Sequence, residues 1–187
     1  MHGDQTPSAW VRRFASLIEP GGSVLDLACG AGRHSRLLLA MGHAVTAVDI
    51  DLAPLDDLVD APNLEPIAAD LEGGSWPLAG RRFAGVIVTN YLWRPLFPHV
   101  LESLAPSGVL IYETFARGNE RFGPPRNPDF LLAPGELLEL ARGPLHVVAY
   151  EHGLVEVPRA AAVQRIAAIA TPSAVALATP LPPARAV

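Results

Sequence analysis

The stretch that most constrains this chain is Val24-Leu25-Asp26-Leu27-Ala28-Cys29-Gly30-Ala31-Gly32-Arg33. An apolar run of strand length meets a turn with two glycines, and residues 34–41 then have helical character up to Gly42. A strand–turn–helix of this kind belongs to an open α/β sheet, in which ligands bind beyond the carboxyl ends of the strands where strand order reverses. Glycines in such a turn let the backbone approach a ligand because no Cβ intervenes. A dinucleotide site requires a third glycine three residues after the second, and Ser35 stands there instead. Asp26, a carboxylate just before the turn, suits a cationic ligand better than a pyrophosphate. S-adenosylmethionine, which carries an ammonium and a sulfonium, meets that charge condition.

The rest of the chain alternates strand-like and helix-like runs, as an α/β domain with a largely parallel sheet does. Residues 8–18 place Trp10, Phe14, Leu17 and Ile18 at helical spacing. Strands are expected at 23–27, 44–48, 64–69, 83–89 and 109–114, with a helix over about 96–104 and a turn at Pro106-Ser107-Gly108. Pro134 opens another helix, and 145–151 and 161–169 read as two closing strands whose short connection permits an antiparallel pair. Residues 117–128, rich in Gly, Pro, Asn and Arg, form a long loop of the sort that often covers a substrate. The division expected is one domain over 1–170 and an Ala/Pro-rich loose tail over 171–187.

Asp49 closes the second strand 17 residues after Gly32, where a carboxylate can accept hydrogen bonds from both hydroxyls of a ribose. Asp70 closes the third strand and offers an acceptor for an adenine amino group, with Leu71 beside it as an amide and an apolar edge. Together with Thr89-Asn90-Tyr91-Leu92, these segments resemble the ordered motifs of class I S-adenosylmethionine-dependent methyltransferases, with 24–35 similar to their motif I. The Gly32-Arg33-His34-Ser35 variant is most similar to the small bacterial enzymes of the tellurite-resistance type. The resemblance implies a single Rossmann-like α/β domain with helices on both faces of a mostly parallel sheet in the order 3-2-1-4-5-7-6, strand 7 antiparallel. It also implies that Asp26, Ala28, Gly30 and Gly32 contact the methionine end of S-adenosylmethionine. Asp49 and Ile50 would hold the ribose, Asp70 and Leu71 the adenine, and Asn90 the amino-acid portion.

Methyl transfer needs alignment and exclusion of water, and a general base only when the acceptor must lose a proton. Candidates on the acceptor side follow the fourth and fifth strands. Tyr91 and Trp93 are aromatic walls, Arg94 a partner for an anionic acceptor, and Glu113 a base or orienting group. Tyr91, Glu113 and Arg94 are therefore the expected catalytic set. The chain has no lysine, 14 basic against 19 acidic residues and no basic run, which disfavours a nucleic-acid acceptor and favours a small molecule. Asn90-Tyr91-Leu92-Trp93 also lacks the Pro-Pro signature of enzymes that methylate exocyclic base amines. Six dispersed histidines predict no metal site. A single cysteine, no secretory signal and no long apolar run point to a cytoplasmic protein away from membranes. The alternatives are a non-enzymatic S-adenosylmethionine-binding or inactive partner protein, an RNA methyltransferase and an NAD-dependent oxidoreductase.

Overall fold

The structure is a computed structural model that describes residues 6–58 and 60–171. The expected tail over 171–187 lies, apart from its first residue, outside the described residues. Seven strands form one sheet, β1 Ser23–Leu27, β2 Ala44–Asp49, β3 Leu64–Ala68, β4 Phe83–Thr89, β5 Leu104–Phe115, β6 Leu145–Val155 and β7 Ala161–Ala170. Their order is β3-β2-β1-β4-β5-β7-β6, with β1 to β5 parallel to one another and β7 antiparallel to both β5 and β6. This is the expected class I methyltransferase topology. Four helices, α1 Ala9–Phe14, α2 Arg33–Ala40, α3 Phe97–Glu102 and α4 Glu136–Ala141, cover the sheet. None of the described helices is long and apolar enough to cross a membrane.

Alternation along the central strands divides the core. Val24, Val45, Ala47, Ile87 and Ile111 pack with Trp10 and Phe14 of α1 and Leu38 of α2. Leu25, Leu27, Val86, Val88, Leu110 and Tyr112 pack on the other face with Val100 of α3 and Leu137 of α4. The α1 segment starts where Ser8 accepts a hydrogen bond from the Trp10 amide at 3.1 Å. It stops as an α-helix at Phe14, and a 3-10 turn, Ala15–Leu17, carries the chain toward β1.

Strand β5 departs from expectation. It begins at Leu104 instead of 109, with Leu104 opposite Phe83 and Val109 opposite Gly85. Pro106-Ser107-Gly108 is thus held within the strand as an irregularity, Ser107 at φ +64°. A Cβ at Gly108 would meet the carbonyls of Ala105 and Phe83 at 2.8 Å, so this bulge admits glycine alone without rearrangement. The loop expected over 117–128 also has local order. It holds 3-10 turns at Asn119–Arg121 and Pro128–Phe130, and a bridge between Ala116 and Leu132 closes it.

Candidate functional site

Sheet order reverses at β1, which lies between β2 and β4, so the carboxyl ends of these strands form the crevice that this architecture offers to a ligand. The turn from β1 into α2 fills its floor. Ala28, Gly30 and Gly32 all lie in the left-handed region, at φ +53°, +54° and +71°. The two glycines serve different ends. Nothing stands within 4 Å of where a Cβ on Gly30 would point, so this backbone faces open space. A Cβ on Gly32 would collide with Leu55 Cδ2 at 2.3 Å. Leu55 belongs to a 3-10 segment, Ala53–Leu58, that buttresses the turn. Arg36 fastens the two together by donating to the Ala31 carbonyl and pairing with Asp57.

Asp49, at the end of β2, ties itself to this turn. Its Oδ2 accepts from the Gly30 amide at 2.7 Å and its Oδ1 from the Asp51 amide at 3.3 Å. An ionised carboxylate has about four acceptor positions, so two bonds leave capacity for a ligand's hydroxyls. Helix capping at this point falls to Asp51, whose Oδ1 accepts from the Ala53 amide at 3.0 Å. Ile50 is 70% exposed next to Asp49, an apolar side chain presented at the rim. Asp70 is exposed at the end of β3, and its Oδ1 accepts from the Glu72 and Gly73 amides, both at 2.9 Å. Those bonds to the Gly73 and Glu72 amides hold its carboxyl below the usual range. Leu71 turns into the core beside Leu27 and Leu92.

Asp26 is buried. Its neighbours Leu25 and Leu27 face α3 and α4, so alternation turns it toward α2, where Ser35 donates to Oδ2 at 2.6 Å. Burial raises its pKa to about 6 although the Ser35 hydrogen bonds act the other way. The Cys29 thiol is buried too, and burial keeps it protonated.

A second buried titratable side chain comes from the first turn of α2, at a position that enters the sequence reading only as part of Gly32-Arg33-His34-Ser35. His34 is 1% exposed. Its Nε2 accepts from the Ser8 amide at 3.1 Å, which leaves the ring proton on Nδ1 to donate to Thr89 Oγ1 at 3.3 Å. Burial, with the nearby Arg33, lowers its pKa to about 3, so the ring is neutral. The sequence signal was weak, since a histidine one residue into a helix is as often solvated as buried.

The expected acceptor-side residues separate. Glu113 shares its sheet face with Ile111, toward α1. It accepts from Ser8 Oγ at 3.0 Å and forms an ion pair with Arg165 Nε of β7 at 2.6 Å. Arg94 donates from Nε to Glu136 at 2.6 Å, and from its two terminal nitrogens to the Asp129 and Leu131 carbonyls at 2.6 and 3.0 Å. Its guanidinium therefore clamps the loop that follows β5. Trp93 packs against the core on the α3 side. Asn90, at φ +55°, and Tyr91 line a cavity of about 200 Å³ together with Glu72, Leu92, Thr114, Phe115, Pro125 and Phe130. The structure thus brings Asn90 and Tyr91 to one cavity and leaves Glu113 and Arg94 outside its lining. The described residues hold no group of three or more metal-ligating side chains.

Residues 24–108 match the family model of a methyltransferase domain. A comparison with curated proteins finds no match in sequence. Among solved structures, the chain is similar to TehB from Haemophilus influenzae, at 20% identity and a TM-score of 0.72, covering 91% of this chain and 63% of that one. This chain therefore spans less than two thirds of the length of TehB. It is also similar to the 1,6-didemethyltoxoflavin-N1-methyltransferase of Burkholderia thailandensis, whose structure holds that substrate and S-adenosylhomocysteine. The identity there is 22%, the TM-score 0.64, and the coverage 91% of this chain and 80% of that one. A third similar structure, the [4+2]-cyclase SpnF, matches at 13% identity and a TM-score of 0.65 over 87% of this chain and 78% of its own. At these identities the shared property is the fold.

Proposed function

We propose that the chain is a class I, Rossmann-like S-adenosylmethionine-dependent methyltransferase that acts on a small-molecule acceptor, a reading supported by its domain match over residues 24–108 and by its strand order. One observation carries the cofactor assignment. The Gly30 amide is held by Asp49 while the space above Gly30 stays open, so a bound nucleoside could reach the turn backbone and a ribose-binding carboxylate together. S-adenosylmethionine, when bound, supplies a methyl group already activated by positive sulfur. The turn at Ala28, Gly30 and Gly32 would receive its methionine end, Asp49 the ribose hydroxyls with Ile50 against the rings, Asp70 and Leu71 the adenine, and Asn90 the amino-acid portion. That 1,6-didemethyltoxoflavin-N1-methyltransferase holds S-adenosylhomocysteine on the same fold supports this placement.

Asp26 acts from beneath the turn, setting its conformation through Ser35. Tyr91 stands at the acceptor cavity, and burial followed by the carboxylates of Glu72 and Asp70 raises its pKa, so its hydroxyl is neutral and orients rather than abstracts. Arg94 and Glu113 serve as positioning residues for the loop and the α1 segment. The rival, a cofactor-binding protein that transfers no methyl group, gains from SpnF, a structure of this fold described as a cyclase.

Thermal stability with saturating S-adenosylmethionine, S-adenosylhomocysteine and NAD tests the cofactor. A ligand at a hundredfold excess over Kd adds about 2.7 kcal/mol of stability. Stabilisation by the first two and not by NAD is expected. Stabilisation by NAD alone would return the chain to the oxidoreductases. Release of S-adenosylhomocysteine with a panel of acceptors then separates an enzyme from a silent binder.

A further inference from the structure

The cavity beside Tyr91 has a chemical character of its own. Its walls come from Tyr91, Leu92, Phe115, Pro125 and Phe130, with two rings contributed by β5 and by the loop after it. The volume of about 200 Å³ is below the ~300–1,000 Å³ usual for sites that take drug-sized ligands, so a molecule of one or two rings fills it. Its lining has one ionisable carboxylate, Glu72, and no basic residue. Of the cations near it in sequence, Arg126 and Arg117 lie outside the lining, and Arg94 is held by Glu136 and two carbonyls. Arg159 stacks over Phe115 at 5.4 Å from the ring centroid, donates to the Pro124 carbonyl, and does not line the space.

Tyr91 adds an independent observation. Its hydroxyl is shut off from solvent and lies close to the Glu72 carboxylate without reaching it at good hydrogen-bonding geometry, so a molecule carrying an N–H can complete the bonding of both. The carboxylates of Glu72, Asp70 and Asp49 all act on this hydroxyl electrostatically. An anion entering here would meet the Glu72 carboxylate and no basic residue in the lining. A neutral or protonated amine would meet a carboxylate partner and aromatic faces, both favourable to a cation.

We propose that the acceptor is a small amine-bearing aromatic molecule, held between Tyr91, Phe115 and Phe130 with its nitrogen directed at Glu72, and that carboxylates and oxyanions are rejected. This rests on the methyltransferase reading for the word acceptor, while the charge preference belongs to the cavity itself.

The test is saturation-transfer NMR with matched probes on the protein saturated with S-adenosylhomocysteine. The probes are benzylamine against benzoate and tryptamine against indole-3-propionate, with tellurite as an inorganic competitor. Each amine is expected to bind at least tenfold more tightly than the carboxylate on the same ring, and tellurite to displace neither. Glu72→Gln should shrink that difference severalfold, and Glu72→Arg should reverse its sign. Carboxylates binding as tightly as amines, displacement by tellurite, no binding of any ring probe, or an unchanged preference in Glu72→Gln would overturn the proposal. Absence of S-adenosylhomocysteine binding would overturn the methyltransferase reading instead. The same probe series on the ligand-free protein then still decides the charge preference of the cavity.

Discussion

Along the carboxyl edge of the sheet, the β1–β2 side and the β4–β5 side are built in opposite ways. On the first, the turn is locked from within, through Asp49 to the Gly30 amide, Arg36 to the Ala31 carbonyl, Leu55 against Gly32 and Ser35 on Asp26. On the second, a largely apolar cavity is walled by residues that follow β4, by the end of β5 and by a loop, and a tyrosine hydroxyl buried there lies near Glu72 without a well-formed hydrogen bond. A preorganised polar turn suits a ligand of constant shape. An apolar cavity finished by a loop is where a fold of this kind can vary what it accepts. On the proposed function, the difference teaches that binding of the donor and choice of the acceptor rest on largely separate contacts, with Asn90 shared between them.

The comparison is open to attack at four points. The largest effect is expected from two buried titratable groups, Asp26 at the end of β1 and His34 in α2. Asp26 is raised to about 6 from an ordinary 3.8, and His34 lowered to about 3 from 6.5. Between pH ~6 and ~4 the unfolded chain holds a proton on His34 and none on Asp26, while the folded chain holds the reverse, so their contributions cancel in the slope of stability against pH. Removing either group leaves the contribution of the other uncompensated. Asp26→Asn leaves His34, whose folded-state neutrality makes stability fall as pH drops through that window. His34→Gln leaves Asp26, and stability then rises over the same drop. Each change should reach ~3 kcal/mol by urea unfolding at pH 6 and pH 4. Parallel pH profiles in the two variants would show that the turn is not supported by buried titratable groups.

Next in size is Gly32→Ala, which adds a Cβ at φ +71° against Leu55. Left-handed backbone and overpacking together should cost ~2–4 kcal/mol of stability. Gly30→Ala carries the backbone cost without the collision, so its stability should lie between those of Gly32→Ala and the parent protein. Equal losses would mean that the two glycines do not divide the work as described.

Asp49→Ala comes third. Loss of charged hydrogen bonds to the nucleoside should weaken S-adenosylhomocysteine binding tenfold or more by calorimetry, equivalent to about 1.4 kcal/mol. Unchanged affinity in a folded variant would remove Asp49 from the site. The smallest effect is Arg94→Lys, which keeps the charge but loses the fork that grips Glu136 and two carbonyls. Partial exposure of Arg94 limits the stability loss to about 1 kcal/mol. Affinity for S-adenosylhomocysteine should stay within twofold while the acceptor KM rises. A matching loss on the donor side would break the separation of the two walls.

These two walls also differ in how far they could be read from the chain. Every element of the β1–α2 turn is consecutive, and Asp49 and Asp70 follow at strand ends, so spacing alone located them. Strands β1 and β4 were expected at the bounds that the structure shows. The cavity beside Tyr91 combines residues 72, 90–92, 114–115, 125 and 130, which no local pattern links. Arg94 and Glu113 look available in a linear reading because their partners, Glu136 and Arg165, lie 42 and 52 residues further along the chain. The burial of His34 is illegible in the sequence for the same reason, since it depends on Ser8 crossing over it and on Thr89 of β4.

By itself, the sequence determined the α/β class, the strand order through its resemblance, and the donor-side turn, because glycine spacing and strand-end carboxylates are local and each follows from backbone conformation. The tertiary structure decided which charged side chains are free to meet a ligand. A guanidinium or a carboxylate acts on a substrate only if no nearer partner has neutralised it, and that depends on contacts between residues far apart in the chain.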